Sequence, residues 1–362
     1  MYDFLLIGSG LYNAVFAFEA MKLGKTCIVL EKRDHIGGNC YTSIVNDIVI
    51  HNYGAHIFRT SDKYIWEYLQ QFAQFNHFIN SPIAKYHNEI YNLPFNMNTF
   101  SKMWNITTPE EAKAIIAKQS QEIHSVTNLE EHAISLVGRD IYEKLIKGYT
   151  EKQWGRKCVD LPPSIMRRIP LRFTYDNNYY NDPYQGIPVG GYTPIIEKMF
   201  SGCTILCGID FNTQKEKYMS MADKVIYSGA IDSFYDYKFG ELEYRSLRFE
   251  HKEIDVENFQ GVAVVNYTDK ETPYTRVIEH KHFEFGMQKN TVLSYEYPQS
   301  WTRESEPYYP INDDRNNEKY HQYNTLAQME SRVFFGGRLG EYKYYDMQDT
   351  IKAALKAVEE IL

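Results

Sequence analysis

The fold of this chain is decided by residues 3–31, DFLLIGSGLYNAVFAFEAMKLGKTCIVLE. A short apolar run ends at the turn Gly8-Ser9-Gly10, a stretch with helical apolar spacing follows, and a second apolar run ends on Glu31. The first and last of these segments predict buried strands, and the middle one predicts a helix. Strand, glycine turn, helix, strand and acidic residue, in this order, are typical of a βαβ dinucleotide-binding unit.

Each residue of the turn has a physical role in such a unit. Gly8 makes the tight turn, and Gly10 leaves room for a pyrophosphate at the helix N-terminus, where free N–H groups favour negative charge. Glu31 is placed to accept hydrogen bonds from a ribose diol. Asn13 stands where the fingerprint has its third glycine, and we expect this change to affect helix–strand packing more than phosphate binding.

The glycine pair Gly37-Gly38 and then Asn39 follow the acidic residue. An acid followed by such a pair is the extension found in FAD enzymes of the glutathione-reductase-like type, where the pair lets the chain fold back beside the nucleotide. We therefore predict FAD as the cofactor. The alternative is a βαβ unit whose turn binds no nucleotide.

Length and composition restrict the class of protein. With 362 residues, the chain can bury a large core in two or three structural units. Its formal charge of −8 argues against a nucleic-acid surface, and it has no run of about eighteen apolar residues that would span a membrane. Its five cysteines form no CxxC motif, and it opens on a predicted strand rather than a secretory signal, so we expect reduced thiols and a cytoplasmic location.

A helical insertion is predicted from Thr107 to about Gln153. Residues 108–111, TPEE, combine a capping residue, a proline at the first helical position and an acid at the third, which is a strong helix start. Residues 140–147 predict a further helix that Gly148 closes.

An arginine cluster follows this insertion, with Arg167, Arg168 and Arg172 between prolines. Flanking prolines favour an extended, mobile loop. Near Tyr149 and Trp154, the arginines fit a diphosphate clamp, because a guanidinium binds phosphate oxygens in bidentate fashion. The alternative interpretation is a solvated basic face.

The second half of the chain predicts a sheet. Period-two patterns between residues 242 and 297 are typical of an antiparallel meander. Arg245, Asn266 and Arg276 lie within it, and three polar groups on one face would line a cleft. His280-Lys281-His282 places two histidines on one predicted strand face, but no third ligand has metal spacing, so we predict a structural role and no metal site.

The cofactor domain is predicted to be discontinuous. Residues 203–208 and 224–227 predict buried strands that return to the first sheet, and residues 332–335 predict another strand before Gly336-Gly337-Arg338. Asp346 then caps a predicted helix. This order is typical of the second half of flavin sites, where an arginine meets the pyrophosphate and the helix dipole stabilises negative charge on the reduced ring.

Long, distinctive motifs are distributed along the chain. They are GSGLYNA (8–14), EKRDHIGGN (31–39), YGAHIFRT (53–60), NLPFNMNTF (92–100), GYTEKQWGR (148–156), RIPLRFTYDNNY (168–179), GIPVGGY (186–192), EYRSL (243–247), PYTRVIEHKHF (273–283), EPYYP (306–310) and GGRLGEYKYYDM (336–347). Together they resemble the bacterial UDP-galactopyranose mutase family over essentially the whole chain.

Pattern and resemblance together predict an α/β fold, usually assembled as a homodimer. The predicted parts are a discontinuous FAD-binding Rossmann-type domain (1–80, 203–240 and 325–362), an inserted helical domain with a mobile loop (98–190), and a twisted antiparallel β-sheet substrate domain (81–97, 191–202 and 241–324).

The resemblance also implies an unusual chemistry. Members of the family interconvert UDP-galactopyranose and UDP-galactofuranose with no net redox change and supply furanose sugars for cell-surface glycans such as capsule. FAD reduced by NAD(P)H or another reductant attacks the anomeric carbon through N5 and forms a covalent sugar adduct, which divides one difficult isomerisation into easier steps. UDP leaves, the ring opens and recloses, and UDP returns.

Residue roles are carried over where motifs match. Arg168 and Arg276 resemble the pyrophosphate clamp, and His56 and Arg59 lie in the loop expected near the flavin and sugar. The implied substrate-binding residues are Asn80, Tyr149, Thr150, Trp154, Arg168, Tyr179, Arg245, Asn266, Arg276, Tyr309 and Tyr344. The implied FAD-binding residues are Gly8, Gly10, Leu11, Glu31, Lys32, Asn39, His56, Ile57, Arg338, Asp346 and Met347.

Arg59 departs from the family pattern, which commonly has histidine there. One hypothesis is that this longer donor reshapes the sugar site and admits a 2-acetamido group, so that UDP-N-acetylgalactopyranose is also a substrate. The alternative is neutral drift. Two other functions compete with the mutase: an amine-oxidase-like flavin oxidoreductase, which leaves the arginine pair unexplained, and a nucleotide-sugar sensor without turnover.

Overall fold

The computed structural model describes residues 1–121, 123, 125–166 and 171–362. Its strands are β1 (Tyr2–Ile7), β2 (Cys27–Leu30), β3 (Thr42–Val45), β4 (Ile48–His51), β5 (Phe58–Thr60), β6 (Ile83–Tyr86), β7 (Glu89–Asn92), β8 (Tyr184–Gly186), β9 (Thr204–Leu206), β10 (Ala222–Tyr227), β11 (Tyr244–Ile254), β12 (Val264–Tyr267), β13 (Arg276–Glu279), β14 (Thr291–Ser300), β15 (Tyr309–Pro310) and β16 (Val333–Phe335). Its α-helices are α1 (Leu11–Lys22), α2 (Lys63–Gln70), α3 (Met97–Trp104), α4 (Pro109–Ser120), α5 (Leu129–Val137), α6 (Arg139–Ile141), α7 (Gly148–Trp154), α8 (Thr193–Met199), α9 (Lys215–Met219), α10 (Ile231–Phe234), α11 (Asp314–Ala327), α12 (Gly337–Gly340) and α13 (Met347–Ile361).

The first sheet is parallel, with the strand order β16-β10-β1-β2-β9. Helices α1 and α13 pack together over one face, where Phe16 and Ile351 are fully buried. The opposite face is closed by a second apolar cluster that includes Phe211 and Phe234. Strands from distant parts of the chain therefore lie side by side, as the discontinuous pattern predicts.

The second sheet has the order β15-β11-β14-β13-β12-β6-β7. The meander β11, β14, β13 and β12 is antiparallel as expected, but β6 pairs with β12 in parallel, with Val265 opposite Ile83. The expectation of an antiparallel sheet is thus wrong at this pair. The reason is topological, because the β6–β7 hairpin joins the sheet from an earlier part of the chain.

The helical layer is formed mainly by α3 to α7 and has its own core. The helix predicted to stop at Gly148 does not stop there: a π-helical segment, Tyr142–Lys147, runs directly into α7, and Gly148 has helical dihedral angles (φ −64°, ψ −38°). This glycine serves close packing instead, because a Cβ at Gly148 would lie 2.3 Å from the carbonyl oxygen of Thr268.

Residues 191–202, which we assigned to the sheet domain, pack elsewhere. Ile195, Ile196 and Met199 on α8 are buried in the same core as α1 and α13. Apolar residues one helical turn apart place this face against the first sheet, so the segment packs with the nucleotide-binding unit.

Candidate functional site

Two cavities meet between the two sheets. The large cavity has a volume of about 750 Å³ and opens at the carboxyl ends of β1, β2 and β10, the edge at which parallel sheets bind ligands. The small cavity, of about 370 Å³, lies against the helical layer. The residues that line both are Ala55, Ile57, Tyr179, Tyr180 and Arg276.

The first glycine turn forms one end of the large cavity. Gly8 has φ +92°, which a residue with a Cβ rarely adopts. Gly10 lies at the N-terminus of α1, and a Cβ placed there would meet no atom of the described residues within 4 Å. Open space therefore faces the free N–H groups of α1, which is the arrangement that a phosphate needs.

Glu31 is buried beside this turn, with 4% of its surface exposed. One of its carboxylate oxygens accepts hydrogen bonds from the Ser9 N–H (2.8 Å) and hydroxyl (2.6 Å), and the other accepts one from the Arg33 N–H (2.9 Å). Because a carboxylate oxygen can accept more than one bond, Glu31 still has acceptor capacity for a ribose diol.

The Asn13 side chain is part of the hydrogen-bonded structure of the turn. Its side-chain amide donates to the carbonyl oxygens of Ile7 and Gly8, both at 2.8 Å, and to the hydroxyl of Ser228 at 3.1 Å. These bonds join the turn after β1 to the residue after β10. The change from glycine thus replaces close packing by a hydrogen-bonded side chain.

The other wall of the large cavity comes from the β16 turn. Gly336 has no room for a Cβ, which would lie 2.1 Å from the Tyr12 ring. Arg338 donates to the carbonyl oxygens of Tyr308 (3.0 Å) and Tyr345, and Asp346 caps α13 by accepting from the N–H of Asp349. A second helix N-terminus and a guanidinium thus face this cavity.

His56 and Arg59 line the large cavity where it meets the small one. His56 donates from Nδ1 to the carbonyl oxygen of Gly54 at 2.7 Å. Burial lowers the pKa of His56 to about 4, against that hydrogen bond and with the help of nearby arginine charges, so the ring is neutral at pH 7. Arg59 donates to Asp182 (2.7 Å) and Asp346 (3.2 Å), and its guanidinium carbon lies 4.7 Å from the centre of the Tyr180 ring.

The residues present fit a dinucleotide cofactor. All of the predicted FAD-binding residues line the large cavity: Gly8, Gly10, Leu11, Glu31, Lys32, Asn39, His56, Ile57, Arg338, Asp346 and Met347. In the same wall, the buried Nη1 of Arg33 has no hydrogen-bond partner among the described residues, which leaves a charged donor for a ligand.

The small cavity contains most of the predicted substrate residues. Asn80, Tyr149, Thr150, Tyr179, Asn266 and Arg276 line it. The Nη2 of Arg276 donates to the Tyr149 hydroxyl at 3.1 Å, and its Nε lies 3.7 Å from Glu296. The Arg276 Nε and the Asn266 Oδ1 are buried without a hydrogen-bond partner in the part of the chain that the structure describes. The Asn266 Oδ1 is therefore available to a polar ligand, whereas the Arg276 Nε faces the Glu296 carboxylate.

The remaining predicted substrate-binding residues do not all lie at a cavity. Tyr309 and Tyr344 line the large cavity, with ring centres 5.7 Å apart. Trp154 and Arg245 line neither cavity, contrary to expectation. Trp154 packs against the helical core, and the Nε of Arg245 donates to the carbonyl oxygen of Gln153 at 2.7 Å, so it fastens the end of α7. Arg168 lies outside the described residues.

Sequence reasoning missed Arg33, Tyr180 and Asp182. Arg33 stacks on Tyr53, 4.3 Å from the ring centre, and pairs with Glu306 at 2.9 Å, which holds it in the cavity wall. Its position within the EKRDH stretch after β2 was a usable signal. Asp182 gave no local signal, because its role depends on meeting Arg59 across the β5–β8 pair.

Comparison with known proteins adds independent findings. A family description named UDP-galactopyranose mutase matches residues 144–344, and one named NAD(P)-binding Rossmann-like domain matches residues 6–72. The chain is 37% identical to a probable UDP-galactopyranose mutase of Klebsiella pneumoniae over 99% of this chain and 94% of that protein. It is 36% identical to the dTDP-fucopyranose mutase of Escherichia coli over 98% of this chain and 97% of that protein.

A structural comparison shows the same fold. The crystal structure of a reduced UDP-galactopyranose mutase superposes with a TM-score of 0.75 at 13% identity, covering 100% of this chain and 95% of that one. No helix among the described residues has both the length and the apolar character needed to cross a membrane. The sequence match over 99% of this chain and the family match over more than half of it agree: the chain belongs to the UDP-galactopyranose mutase family of isomerases, whose flavin dependence implies FAD.

Proposed function

We propose that this protein is an FAD-dependent mutase that interconverts UDP-galactopyranose and UDP-galactofuranose, and that it also acts on UDP-N-acetylgalactopyranose and its furanose form. The observation that supports this most strongly is the meeting of the two cavities at Arg276. Residues predicted to hold FAD line one cavity, residues predicted to hold the nucleotide sugar line the other, and the Arg276 guanidinium lies in the wall between them.

The cofactor would supply the reactive centre, since reduced FAD offers N5 as a nucleophile toward an anomeric carbon. The chain's own residues bind and orient. The free N–H groups of α1 beside Gly10 would hold the pyrophosphate of FAD, and the Glu31 carboxylate would accept hydrogen bonds from the ribose hydroxyls. Arg338 and the N-terminus of α13 place positive potential on the opposite wall of the cavity.

Arg276 has the chemistry needed to hold a departing diphosphate. Departure of UDP creates negative charge, and a fixed guanidinium stabilises that charge without reorganising. Tyr149 and Glu296 fix the orientation of Arg276, whose guanidinium lines both cavities and would donate to the phosphate. Arg168 is proposed as the second member of the clamp on the strength of the family motif.

Arg59 supports the wider sugar range. Two carboxylates, Asp182 and Asp346, hold its guanidinium at the cavity wall, and Tyr180 covers one side of it. A histidine side chain is shorter and has no guanidinium with two terminal nitrogens to reach the two carboxylates at once. We propose that the held guanidinium offers a donor to the acetamido carbonyl oxygen.

The test is turnover under anaerobic conditions. The purified protein, reduced with dithionite, is incubated separately with UDP-galactofuranose, UDP-N-acetylgalactofuranose and dTDP-fucofuranose, and the pyranose product is measured by chromatography. We expect conversion of both UDP sugars, and no conversion while FAD stays oxidised. Conversion of dTDP-fucofuranose alone would assign the activity of the Escherichia coli relative instead, and UDP binding without any product would favour the sensor.

Sugar selectivity is tested by Arg59→His. We expect the ratio of kcat/KM for the N-acetylated sugar to that for the galactose form to fall about tenfold, the worth of one good hydrogen bond to a charged donor. Arg248→His is the matched control, because Arg248 lies on the sheet with an exposed side chain beside Glu250 and lines neither cavity. An unchanged ratio in Arg59→His would contradict the role of Arg59.

From the resemblance we also propose that the protein supplies furanose sugars for cell-surface glycans, that NAD(P)H or another reductant is the electron source, and that the protein is a homodimer. Sedimentation of the purified holoenzyme would measure the last of them.

A further inference from the structure

Lys152 has an unusual set of partners. It lies on α7, and its ammonium donates to three backbone carbonyl oxygens: Tyr267 at 2.8 Å, Thr272 at 3.0 Å and Tyr274 at 3.0 Å. An ammonium has three N–H donors, so all of them are used. Tyr267 is the last residue of β12, and Thr272 and Tyr274 belong to the loop that joins β12 to β13. Lys152 therefore ties this loop to the end of the strand before it.

The two ends of this loop carry ligand-binding candidates. Asn266, with its unpaired buried Oδ1, directly precedes Tyr267, and Arg276 follows Tyr274 by two residues. Both side chains line the small cavity. A shift of the loop would therefore move the acceptor of Asn266 and the guanidinium of Arg276 together.

The helix that carries Lys152 also forms part of the small cavity. Tyr149 and Thr150 line it, and Tyr149 lies three residues before Lys152, one helical turn away. Gly148 lets the start of α7 touch the loop directly, since a Cβ there would lie 2.3 Å from the Thr268 carbonyl oxygen. Helix and loop thus meet at two points, Gly148 and Lys152, with the Tyr149–Arg276 hydrogen bond of 3.1 Å beside them.

We infer that Lys152 is a positioning residue for the nucleotide diphosphate: it fixes α7 to the β12–β13 loop, and so sets the geometry in which Tyr149, Asn266 and Arg276 meet the ligand. This inference deepens the proposed function and rests on it. Lys152 itself lines neither cavity, so it acts through the residues it holds rather than by contact.

The competing interpretation is an ordinary loop staple that contributes to stability alone. The chain contains a close counterpart for comparison, because Lys281 also donates to three backbone carbonyl oxygens, those of Glu257, Gln288 and Asn290. Lys281 is buried in the 3₁₀-helical segment His280–Glu284 that follows β13, and it lines neither cavity. Removal of the Lys281 hydrogen bonds should therefore lower the free energy of unfolding without changing ligand binding.

The experiment compares Lys152→Met with Lys281→Met in the FAD-loaded protein. Isothermal titration with UDP gives the Kd, flavin absorbance gives the FAD content, and urea unfolding gives the stability. We expect Lys152→Met to weaken UDP binding by about tenfold or more, the scale set by misplaced binding groups, with the FAD content unchanged. Lys281→Met should lower stability and keep the wild-type Kd.

A second measurement uses the wild-type protein. Burial lowers the pKa of Lys152 to about 8, although Asp269 and Glu271 on the same loop oppose this. On the neighbouring hairpin, His87 lies 4.0 Å from Glu271 and Lys85 lies over the Tyr267 ring. Loss of the proton removes one of three donors, so UDP binding should weaken as the pH rises from 7 to 9. Lys152→Arg stays charged and should lose this pH dependence.

The outcomes separate the possibilities. Equal UDP affinity in Lys152→Met and the wild type would overturn the inference, as would equal loss of affinity in Lys152→Met and Lys281→Met. If Lys152→Met does not fold, a UDP affinity that is constant between pH 7 and 9 in the wild type would overturn it. No UDP binding by the wild type at any pH would contradict the proposed function, and the inference would fall with it.

Discussion

At the scale of single residues, the two glycines of the first turn meet different demands. Gly8 needs a backbone conformation with φ +92°, and a Cβ there would lie 2.7 Å from the Ser228 hydroxyl. Gly10 has an ordinary φ of −74°, and a Cβ there would touch none of the residues that the structure describes. Folding therefore requires the first glycine, whereas the second is required only by a ligand that approaches the turn.

We accordingly expect Gly10→Ala to separate binding from stability. The unfolding free energy of the FAD-free protein should change by less than about 1 kcal/mol, the range for an alanine at a helix cap. The FAD content, measured by the ratio of flavin to protein absorbance, should fall severely because the methyl group occupies the space for phosphate. Gly8→Ala should instead lower stability by about 1–3 kcal/mol, the range for a strained backbone. Full FAD content in Gly10→Ala would contradict this assignment.

Asn13 makes a residue-scale prediction of its own. Its amide satisfies acceptors on Ile7, Gly8 and Ser228 inside the core. We expect Asn13→Ala to lower the unfolding free energy by about 1–3 kcal/mol, the cost of leaving buried partners unsatisfied. Urea unfolding of the FAD-free protein measures this, and Asn13→Gly should not recover the loss. Wild-type stability in both variants would show that these hydrogen bonds contribute nothing net.

At the scale of elements, the contact of α7 with the β12–β13 loop is the most sensitive. We expect Gly148→Ala to displace α7, because its methyl group would lie 2.3 Å from a backbone oxygen that cannot rotate away. Both urea stability and UDP affinity should fall. Ala117→Gly on α4, an exposed site in the same helical layer, is a control that changes helix stability by about 1 kcal/mol without touching either cavity. Unchanged UDP affinity in Gly148→Ala would contradict the importance of this contact.

Helix α7 also shows which structural features the sequence alone could predict. Features that are local, such as the turn at Gly8 and the cap at Asp346, were predictable because spacing alone fixes them. Glycine occurs both at helix ends and where two backbone segments approach closely, so the sequence pattern predicts a helix end at Gly148. Only the position of the Thr268 backbone shows that Gly148 serves close approach.

Residues that depend on distant partners were less predictable. The sequence pattern predicts that Arg245, a polar residue on a strand, lines a cleft. In the structure its side chain instead holds the end of α7 by donating to the carbonyl oxygen of Gln153. Likewise, the parallel pairing of β6 with β12 joins segments that no local pattern relates. Both features depend on how separate elements pack, which periodicity does not specify.

At the scale of the whole molecule, buried histidines lie between the two sheets. The backbone N–H of His56 donates to the His51 ring at 3.1 Å, and the backbone N–H of His51 donates to the His280 ring at 3.2 Å. Burial lowers the pKa of each ring, to about 4 for His56 and about 3 for His280. Each ring is therefore neutral in the folded protein at pH values where the unfolded chain is protonated.

This sets the direction of the pH dependence. Because the unfolded state binds more protons below pH 6.5, we expect the unfolding free energy to fall by more than about 2 kcal/mol as the pH falls from 6.5 to 4.5. Carboxylates affect stability at lower pH values. Burial favours the neutral form of Glu279, but His282 and two backbone N–H groups lower the pKa of its carboxyl group to about 2. Urea unfolding across this range measures the slope, and His280→Asn should reduce it. A flat profile would contradict neutral burial of the histidines.

The interleaved strand order of the first sheet governs when the nucleotide site can exist during synthesis. The strand that carries the first glycine turn, β1, pairs with β10, which in turn pairs with β16. A nascent chain that has only released β1, α1 and β2 has the phosphate turn but neither the Ser228 that braces it nor the Arg338 that faces it. Such long-range pairing makes closure slow and late. The wall of the large cavity is therefore complete only after Arg338 has been synthesised, long after the first glycine turn.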